Sequence, residues 1–292
     1  MKKDTLWRLA RLLVILLGIG ILVYPSLSEY LSELNGSRAT ASYDDSVLQM
    51  EQAHLDDLLA QAQEYNRQLA QVSAGQVPQS DADGNPITPE SYWDLLNVDS
   101  AGMMGYIEIP KLSTTIPIYH GTSEAVLQVG IGHLQNTSLP VGGESTHAAL
   151  SGHRGLPTRS LFTDLDKMEI GDRFYIKILN ETLCYTVDQI LTVLPSEMEA
   201  LAIEEGRDYV TLITCTPYGI NSHRLLVRGV RTPYDPQQHQ AEKEDVLPLW
   251  QRMPMQYRHM LIGAAVLVLV LFLRGLILLI FKFRKRRKQR HE

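Results

Sequence analysis

The chain has 292 residues, a hydrophobic content of 45% and a formal net charge of −6, figures that suit one folded domain with appended segments. The charge is uneven, because both termini are basic while residues 12–273 hold 15 basic against 31 acidic side chains. An acidic middle disfavours nucleic acid as a partner. Two cysteines are too few for a small disulfide scaffold, and neither lies in the paired spacing that a zinc site needs.

Two apolar stretches predict a membrane anchor at each end of the chain. No small-x-small cleavage site directly follows the apolar stretch near the start, so residues 1–30 are predicted to be an uncleaved anchor helix, with a cleaved signal peptide as the alternative. A second span is predicted at 258–283, long enough to cross about 30 Å of hydrocarbon, and a basic tail follows at 284–292. The positive-inside rule then puts both termini in the cytoplasm and the acidic middle outside the cell, with the lipid bilayer as a partner.

Residues 31–76 are predicted to form an extracellular helical segment, broken near Gly36 and restarted by an N-cap at Asp44. Apolar residues recur in it at helical spacing, for instance at Leu55, Leu58 and Ala62. This spacing predicts that one face of the helix packs on the rest of the domain.

From residue 99 the pattern changes to short β-rich runs bounded by turns. Many short strands at close spacing predict a small, mostly antiparallel barrel or sandwich over 99–232, followed by a polar linker at 233–257. Short helices are predicted at 123–128 and 162–168. The individual strands are predicted at 104–109, 115–120, 148–151, 173–179, 182–194, 209–215 and 224–230.

The candidate site is centred on a thiol and a cation. Cys215 ends one predicted strand and Arg224 begins the next, so in an antiparallel pair the two residues are neighbours. A guanidinium stays charged, which lets it favour a thiolate and hold an oxyanion. A structural disulfide between Cys184 and Cys215 is the alternative.

A nucleophilic thiol also needs an acid/base partner, and the chain offers nine histidines. His153 stands out, because it follows a predicted strand in a glycine-containing loop, Ser-Gly-His-Arg-Gly, that can approach another backbone closely. His223 is next to Arg224, and neighbours on a strand face opposite sides. We therefore interpret His223 as structural and His153 as the candidate partner of the thiol.

The run Thr-Leu-Ile-Thr-Cys at 211–215, with Arg224 nine residues later and Ser-Gly-His-Arg-Gly upstream, resembles the signature of the sortase family. The likeness is closest to the class C, pilin-polymerising sortases, whose pattern is also visible at 105–111 and 118–123. The resemblance implies a mostly β fold: an eight-stranded sortase-type β-barrel with short helices, an N-terminal helical segment and a transmembrane helix at each end.

The resemblance also implies a cysteine transpeptidase that needs no metal or organic cofactor. Cys215 would attack the Thr–Gly bond of an LPXTG-like sorting signal on a secreted pilin or surface protein, and His153 would act as acid and base. Arg224 would steady the substrate or the oxyanion, with Thr214 and Thr216 as further candidates for substrate or oxyanion binding. The acceptor amine would be a pilin lysine or the cell-wall precursor.

One part of the sequence departs from the class C pattern. Those enzymes carry an Asp-Pro-aromatic lid motif before the barrel, but the loop at 77–98 has none. Asp81 and Trp93 are the candidates for a lid, and an anchoring role for Trp93 at the start of the barrel is the alternative. An EF-hand at this loop is disfavoured, because the ordered ligands and the closing Glu are absent.

Three other functions are compatible with the sequence. They are a sortase that anchors surface proteins to the cell-wall precursor, a hydrolytic cysteine protease, and a non-catalytic structural or adhesive membrane protein.

Overall fold

The computed structural model describes residues 34–72, 90–98, 102–156 and 161–246, together with isolated positions between 17 and 32. The predicted span at 258–283 and the tail at 284–292 lie outside the described residues, as does most of the anchor predicted at 1–30. Among the residues that are described, no helix is both long and apolar enough to cross a membrane. The chain divides into two compact units, Met1–Glu242 and Lys243–Glu292, and the first contains the barrel.

Eight strands close into a barrel in the order β1-β2-β3-β4-β7-β8-β6-β5. The β2–β3 and β4–β7 pairs are parallel and the other pairs are antiparallel. This architecture confirms the expected eight-stranded, mostly β fold. The strands are β1 Met103–Ile109, β2 Thr114–His120, β3 Ile131–His133, β4 Thr146–Ser151, β5 Arg173–Ile178, β6 Glu181–Val193, β7 Asp208–Thr216 and β8 His223–Thr232.

Strand β7 is buried on both faces, so its sequence lacks the strict apolar–polar alternation of a half-buried strand. Val210 and Leu212 belong to the main core, while Ile213 belongs to a second apolar cluster with Ala149 and Leu226 on the other face. Successive side chains of a strand point to opposite faces. Cys215 therefore shares the face of Ile213 and the second cluster.

The N-terminal helical segment breaks later than predicted. Residues 34–49 form one helix, α1, and the chain leaves helical geometry at Met50 and resumes in α2, Gln52–Val72. A glycine inside a helix costs only about 1 kcal/mol, and Gly36 does not interrupt α1. Asp44 is not an N-cap, because it lies inside α1, where its carboxylate accepts a hydrogen bond of 3.1 Å from the hydroxyl of Tyr106 on the barrel.

The predicted packing of the helical segment on the barrel is present. On α2, Leu55, Leu58 and Ala62 are buried in the main core. Asn66 adds a polar anchor: its amide donates to the carbonyl of Leu139 at 3.0 Å, and its amide oxygen accepts from the Leu139 N–H at 2.6 Å.

The two short helices predicted within the barrel have different outcomes. The first is present as α3, Glu124–Val129, between β2 and β3. In the second region, 162–168, the chain forms turns and a single 3₁₀ turn at Leu165–Lys167.

The stretch predicted as a linker at 233–257 instead contains a helix, α4, Pro236–Val246. Glu242 accepts hydrogen bonds from the Arg173 guanidinium at 2.8 Å and from the Tyr175 hydroxyl at 2.7 Å. The His239 ring stacks on Tyr175 with 3.6 Å between the ring centroids. Because charged and aromatic groups hold this helix on the barrel, its sequence lacks the apolar period that would have revealed it.

A buried polar network fixes the chain where it enters the barrel. The Tyr92 hydroxyl lies 2.9 Å from His133 Nδ1 and accepts a hydrogen bond of 2.9 Å from the Gly121 N–H. His133 Nε2 lies 2.8 Å from the carbonyl of Ser138. A neutral ring with its proton on Nε2 fits both neighbours, since it donates to the carbonyl and accepts from the hydroxyl. Complete burial lowers the pKa of His133 to about 4.

The pKa of His133 predicts that acid weakens the fold. An unfolded histidine has a pKa near 6.5, so below that pH the unfolded chain binds the extra proton and the folded chain does not. The contribution of neutral His133 to the free energy of unfolding is fully present above pH 6.5 and is lost as the pH falls to about 4. We expect about 2 kcal/mol to disappear between pH 7.5 and pH 5.

Urea unfolding at the two pH values measures this loss. In His133→Asn the loss should shrink by about 2 kcal/mol, whereas His54→Gln, on the exposed surface of α2, should behave like the wild type. An unchanged pH dependence in a folded His133→Asn variant would contradict the assignment.

Candidate active site

The three predicted catalytic residues come from strand ends that meet at one edge of the barrel. Ser151, the last residue of β4, is paired with Ile213 of the parallel strand β7. His153 lies two residues after Ser151, and Cys215 lies two residues after Ile213. On the other side, Cys215 is directly opposite Arg224 in the antiparallel β7–β8 pair. The structure therefore brings His153, Cys215 and Arg224 together.

Strand pairing continues just past β4 and fixes the start of the His153 loop. The Gly152 N–H donates to the Ile213 carbonyl at 3.0 Å, and the buried Thr214 hydroxyl donates to the Gly152 carbonyl at 2.8 Å. The hydroxyl of Thr214, a predicted substrate or oxyanion contact, is thus engaged in holding the loop that carries His153.

The two cysteines lie far apart, and both are free. Cys215 is half-buried near the end of β7, whereas Cys184 is 2% exposed and is paired with Thr232 at the far end of β8. Arg224 and Thr232 are eight positions apart on β8, which is about 26 Å. A disulfide needs Cα atoms within about 7 Å, so the structure does not support the disulfide alternative.

His153 has a carboxylate beside it that the sequence did not predict. Its side chain is 27% exposed, and Nε2 lies 3.4 Å from Oε2 of Glu124. Glu124 is the first residue of α3, whose N-terminus is capped by the Ser123 hydroxyl. The pKa of Glu124 is lowered by a hydrogen bond from Gln128 and also by the nearby imidazole.

Arg224 is half-buried and lies along the β7–β8 loop. Its Nη1 donates to the carbonyls of Asn221 at 3.3 Å and His223 at 3.2 Å. His223 is opposite Thr216 in the ladder and its Nδ1 is 2.9 Å from the Ser222 hydroxyl. This placement agrees with the structural interpretation of His223.

Thr216, the second predicted substrate or oxyanion contact, faces away from the thiol. Its hydroxyl accepts a hydrogen bond of 3.2 Å from Nη1 of Arg154. Arg154 follows His153 directly in the chain, yet no local pattern indicates that its side chain reaches the strand of the thiol.

Trp93, the described lid candidate, lies at the entry to the barrel. Its side chain is 48% exposed, and its ring centroid is 5.1 Å from that of Tyr92 and 6.1 Å from that of His120. A Cβ atom added at Gly121 would be 3.0 Å from the Trp93 ring. These contacts fit the anchoring alternative. The other lid candidate, Asp81, lies outside the described residues.

An apolar strip runs from the thiol along the outer face of the sheet. Ile213, Leu226 and Ala149 form it together with Leu201. Within the described parts of the chain, no group of three or more His, Cys, Asp or Glu residues could hold a metal ion.

Comparison with known proteins identifies the fold around this site. The family model of the sortase domain matches residues 107–232. A crystal structure of sortase C1 from Streptococcus agalactiae is 48% identical, with a TM-score of 0.62, and the match covers 68% of this chain and 100% of that one. A sortase C from Streptococcus pneumoniae is 46% identical, with a TM-score of 0.60, over 68% of this chain and 97% of that one.

The chain belongs to the sortase family. Its structural neighbours are class C sortases, and sortases are cysteine transpeptidases. Curated relatives are more distant: sortase A from Bacillus anthracis is 29% identical over 46% of this chain and 61% of its own length. For sortase A from Streptococcus agalactiae the identity is also 29%, over 39% of this chain and 47% of the relative. The match thus spans about half to three fifths of these curated relatives.

The different burial of the two thiols in this sortase predicts selective modification. A half-buried thiol beside a cation reacts readily and a buried structural thiol is inert, so iodoacetamide should modify Cys215 at least about ten times faster than Cys184. Mass spectrometry of the digested protein measures both rates, and Cys184→Ser should leave the rate at Cys215 unchanged. Faster labelling of Cys184 would contradict the choice of Cys215 as nucleophile.

Proposed function

We propose that this protein is a membrane-anchored transpeptidase that cleaves an LPXTG-like sorting signal between Thr and Gly and transfers the acyl group to a pilin lysine. The observation that carries the proposal is the position of Cys215 directly opposite Arg224, with His153 at the matching end of the parallel neighbour strand. A nucleophile, an acid/base and a fixed cation are the groups that acyl transfer needs.

In the first step the Cys215 thiolate attacks the carbonyl carbon of the signal's threonine. The negative charge moves to the carbonyl oxygen, where Arg224 stabilises it. The bond from that carbon to the glycine nitrogen then breaks, and protonated His153 gives its proton to the leaving amine. The products of this step are a thioester on Cys215 and the freed peptide that begins with the glycine.

In the second step the acceptor amine attacks the thioester carbonyl. Neutral His153 takes a proton from the amine, and the thiolate leaves as the new amide forms. The enzyme returns to its starting protonation state, so the cycle consumes no oxidant, metal or organic cofactor. The Glu124 carboxylate lies 3.4 Å from His153 Nε2, close enough to orient the imidazole ring.

The apolar strip beside the thiol supports an extended peptide with apolar residues as the substrate. Ile213 and Leu226 lie on the face of Cys215, where a leucine and a proline upstream of the scissile bond can lose contact with water. An extended peptide presents alternate side chains to such a surface.

The solved neighbours support a pilin as the acceptor. They are class C sortases, and the Streptococcus pneumoniae structure is described as giving insight into pilin substrate specificity. Anchors at 1–30 and 258–283, with both termini in the cytoplasm, would hold the barrel outside the cell. Anchoring in the membrane from which substrates emerge raises their effective concentration at the site.

A transfer assay with the full chain tests the proposal. The protein is incubated with a peptide that contains an LPXTG-like signal and with two competing amines, a pilin lysine peptide and the amine-bearing cell-wall precursor. We expect cleavage after threonine and transfer mainly to the lysine. Transfer to the precursor alone would instead favour surface-protein anchoring, and release of the free acid alone would favour a hydrolytic protease.

A further inference from the structure

The loop that carries His153 is tied, behind the site, to the end of the strand that carries Cys215. This loop follows β4 and also contains Arg154, and a second loop follows Cys215 and Thr216 at the end of β7. Successive side chains of a strand alternate between faces, so Thr216 points away from the face of Cys215. The Arg154 side chain meets Thr216 there, with 3.2 Å between Nη1 and the threonine hydroxyl.

Three partners surround the Arg154 guanidinium, and together they bury it. The side chain is only 8% exposed, and its Nη2 forms an ion pair with the carboxylate of Asp166. The guanidinium carbon also lies 5.9 Å from the centroid of the Tyr218 ring, in the loop after β7. A buried charge is tolerated only when it is paired and hydrogen-bonded. Nη1 and Nη2 have such partners, whereas Nε is buried without a hydrogen-bond partner among the described residues.

Glycine at position 155 lets the two loops approach each other. Gly155 has a φ of +77°, and a Cβ atom there would be 2.7 Å from the Tyr218 ring. The Gly155 N–H donates to the Thr163 hydroxyl at 3.1 Å. The His153 loop is therefore held on one side by the segment with Thr163 and Asp166, and on the other side by the loop after β7.

We propose that Arg154 is a positioning residue that sets the distance between His153 and Cys215. It connects the backbone next to His153 with the backbone next to Cys215 through Thr216, while Asp166 fixes its orientation. It contacts no reacting atom. This inference rests on the proposed transpeptidase function, because the distance matters only if the two residues act on the same substrate.

Substitution of Thr216 tests the link with the smallest change. Thr216→Val removes the acceptor hydroxyl and keeps the shape, and we expect kcat to fall about tenfold with KM within about twofold, because small displacements of reacting groups reduce the rate strongly. Thr216→Ser keeps the acceptor and should restore kcat to within about threefold of the wild type.

In Arg154→Met we expect a fall in kcat similar to that in Thr216→Val. The double variant Arg154→Met with Thr216→Val should have a kcat no lower than that of Arg154→Met alone, because both changes break the same link.

Arg228 provides a matched control for loss of a buried arginine. Its side chain is 15% exposed, it forms ion pairs with Asp188 and Glu204, and it lies 4.1 Å from the centroid of the Tyr209 ring. It is four residues from Arg224 along β8, about 13 Å. Arg228→Met should lower the melting temperature as Arg154→Met does, but it should leave kcat unchanged.

A second measurement needs no sorting signal. The rate of Cys215 alkylation by iodoacetamide is followed against pH in the full chain, and its midpoint should move by about half a pH unit or more in Thr216→Val and Arg154→Met, but not in Arg228→Met. If the wild-type protein does not transfer the sorting-signal peptide to an amine, the proposed function fails. The pH profile of Cys215 alkylation still decides the role of Arg154.

Two results would overturn the inference. One is a folded Thr216→Val variant with the kcat and the alkylation profile of the wild type. The other is an equal loss of kcat in Arg228→Met, which would mean that the loss in Arg154→Met comes from lower stability of the fold rather than from the position of His153. If Arg154→Met does not fold, Thr216→Val and Thr216→Ser decide the question.

Discussion

Cys215→Ala is expected to abolish signal cleavage and transfer, with a loss of at least about 10⁴-fold. No other thiol of the described residues lies at this site, and the roles proposed for His153 and Arg224 are proton transfer and charge stabilisation. The fold should survive, because Cys215 is only half-buried at the end of β7. The transfer assay measures the loss, and thermal unfolding checks that the variant is folded.

The same substitution at the other cysteine is the matched control. Cys184 lies in the buried core and its sulfur accepts a hydrogen bond of 3.3 Å from the Thr232 hydroxyl. Cys184→Ala should cost about 1 to 2 kcal/mol of unfolding free energy and leave transfer intact. Full turnover in Cys215→Ala would reject Cys215 as the nucleophile and with it the proposed thioester mechanism.

The sequence predicted the pairing of Cys215 with Arg224 because both flanking strands have strong β patterns. Once the turn between 216 and 223 is recognised, an antiparallel hairpin allows few registers, and the observed one makes the two residues direct partners. The third strand of the site was harder to place. Nothing local shows that β4 lies parallel to β7, so the choice of His153 rested on its glycine-containing loop and on the family resemblance rather than on a predicted strand pairing.

Strand β3 was missed because it is too short to show a pattern. Its three residues, Ile131–His133, are all buried, so they show no alternation between apolar and polar. The strand exists because β2 and β4 hold it on either side. Tertiary neighbours, rather than its own sequence, define it.

The ionic partners of His153 and Arg154 could not be predicted from the sequence, and for the same physical reason. Glu124 reaches His153 from a helix 29 positions earlier in the chain, and Asp166 reaches Arg154 from a turn 12 positions later. Charged residues are common at surfaces, and pairs between separate segments leave no periodic signal in one sequence. Only the closure of the barrel brings these segments to the same edge.

Arg224→Lys is expected to lower kcat about 10²-fold although the positive charge is kept, since loss of one oxyanion donor costs roughly that much. The guanidinium presents five N–H groups in a planar fork. Its Nη1 already donates to the carbonyls of Asn221 and His223, which orients the fork along the loop. A lysine ammonium is a compact point charge on a flexible stem and does not reproduce that geometry.

Arg231→Lys on the same strand separates a loss of fork geometry from a general effect of the substitution. Arg231 is seven positions from Arg224, and its Nη1 lies 3.7 Å from the Asp208 carboxylate, a loose ion pair that a lysine can replace. Steady-state transfer should therefore be normal in Arg231→Lys and low in Arg224→Lys, with both proteins equally stable to heat. Near-normal kcat in Arg224→Lys would mean that a point charge is sufficient, and Arg224 would then act through its field on the thiolate rather than by holding the oxyanion.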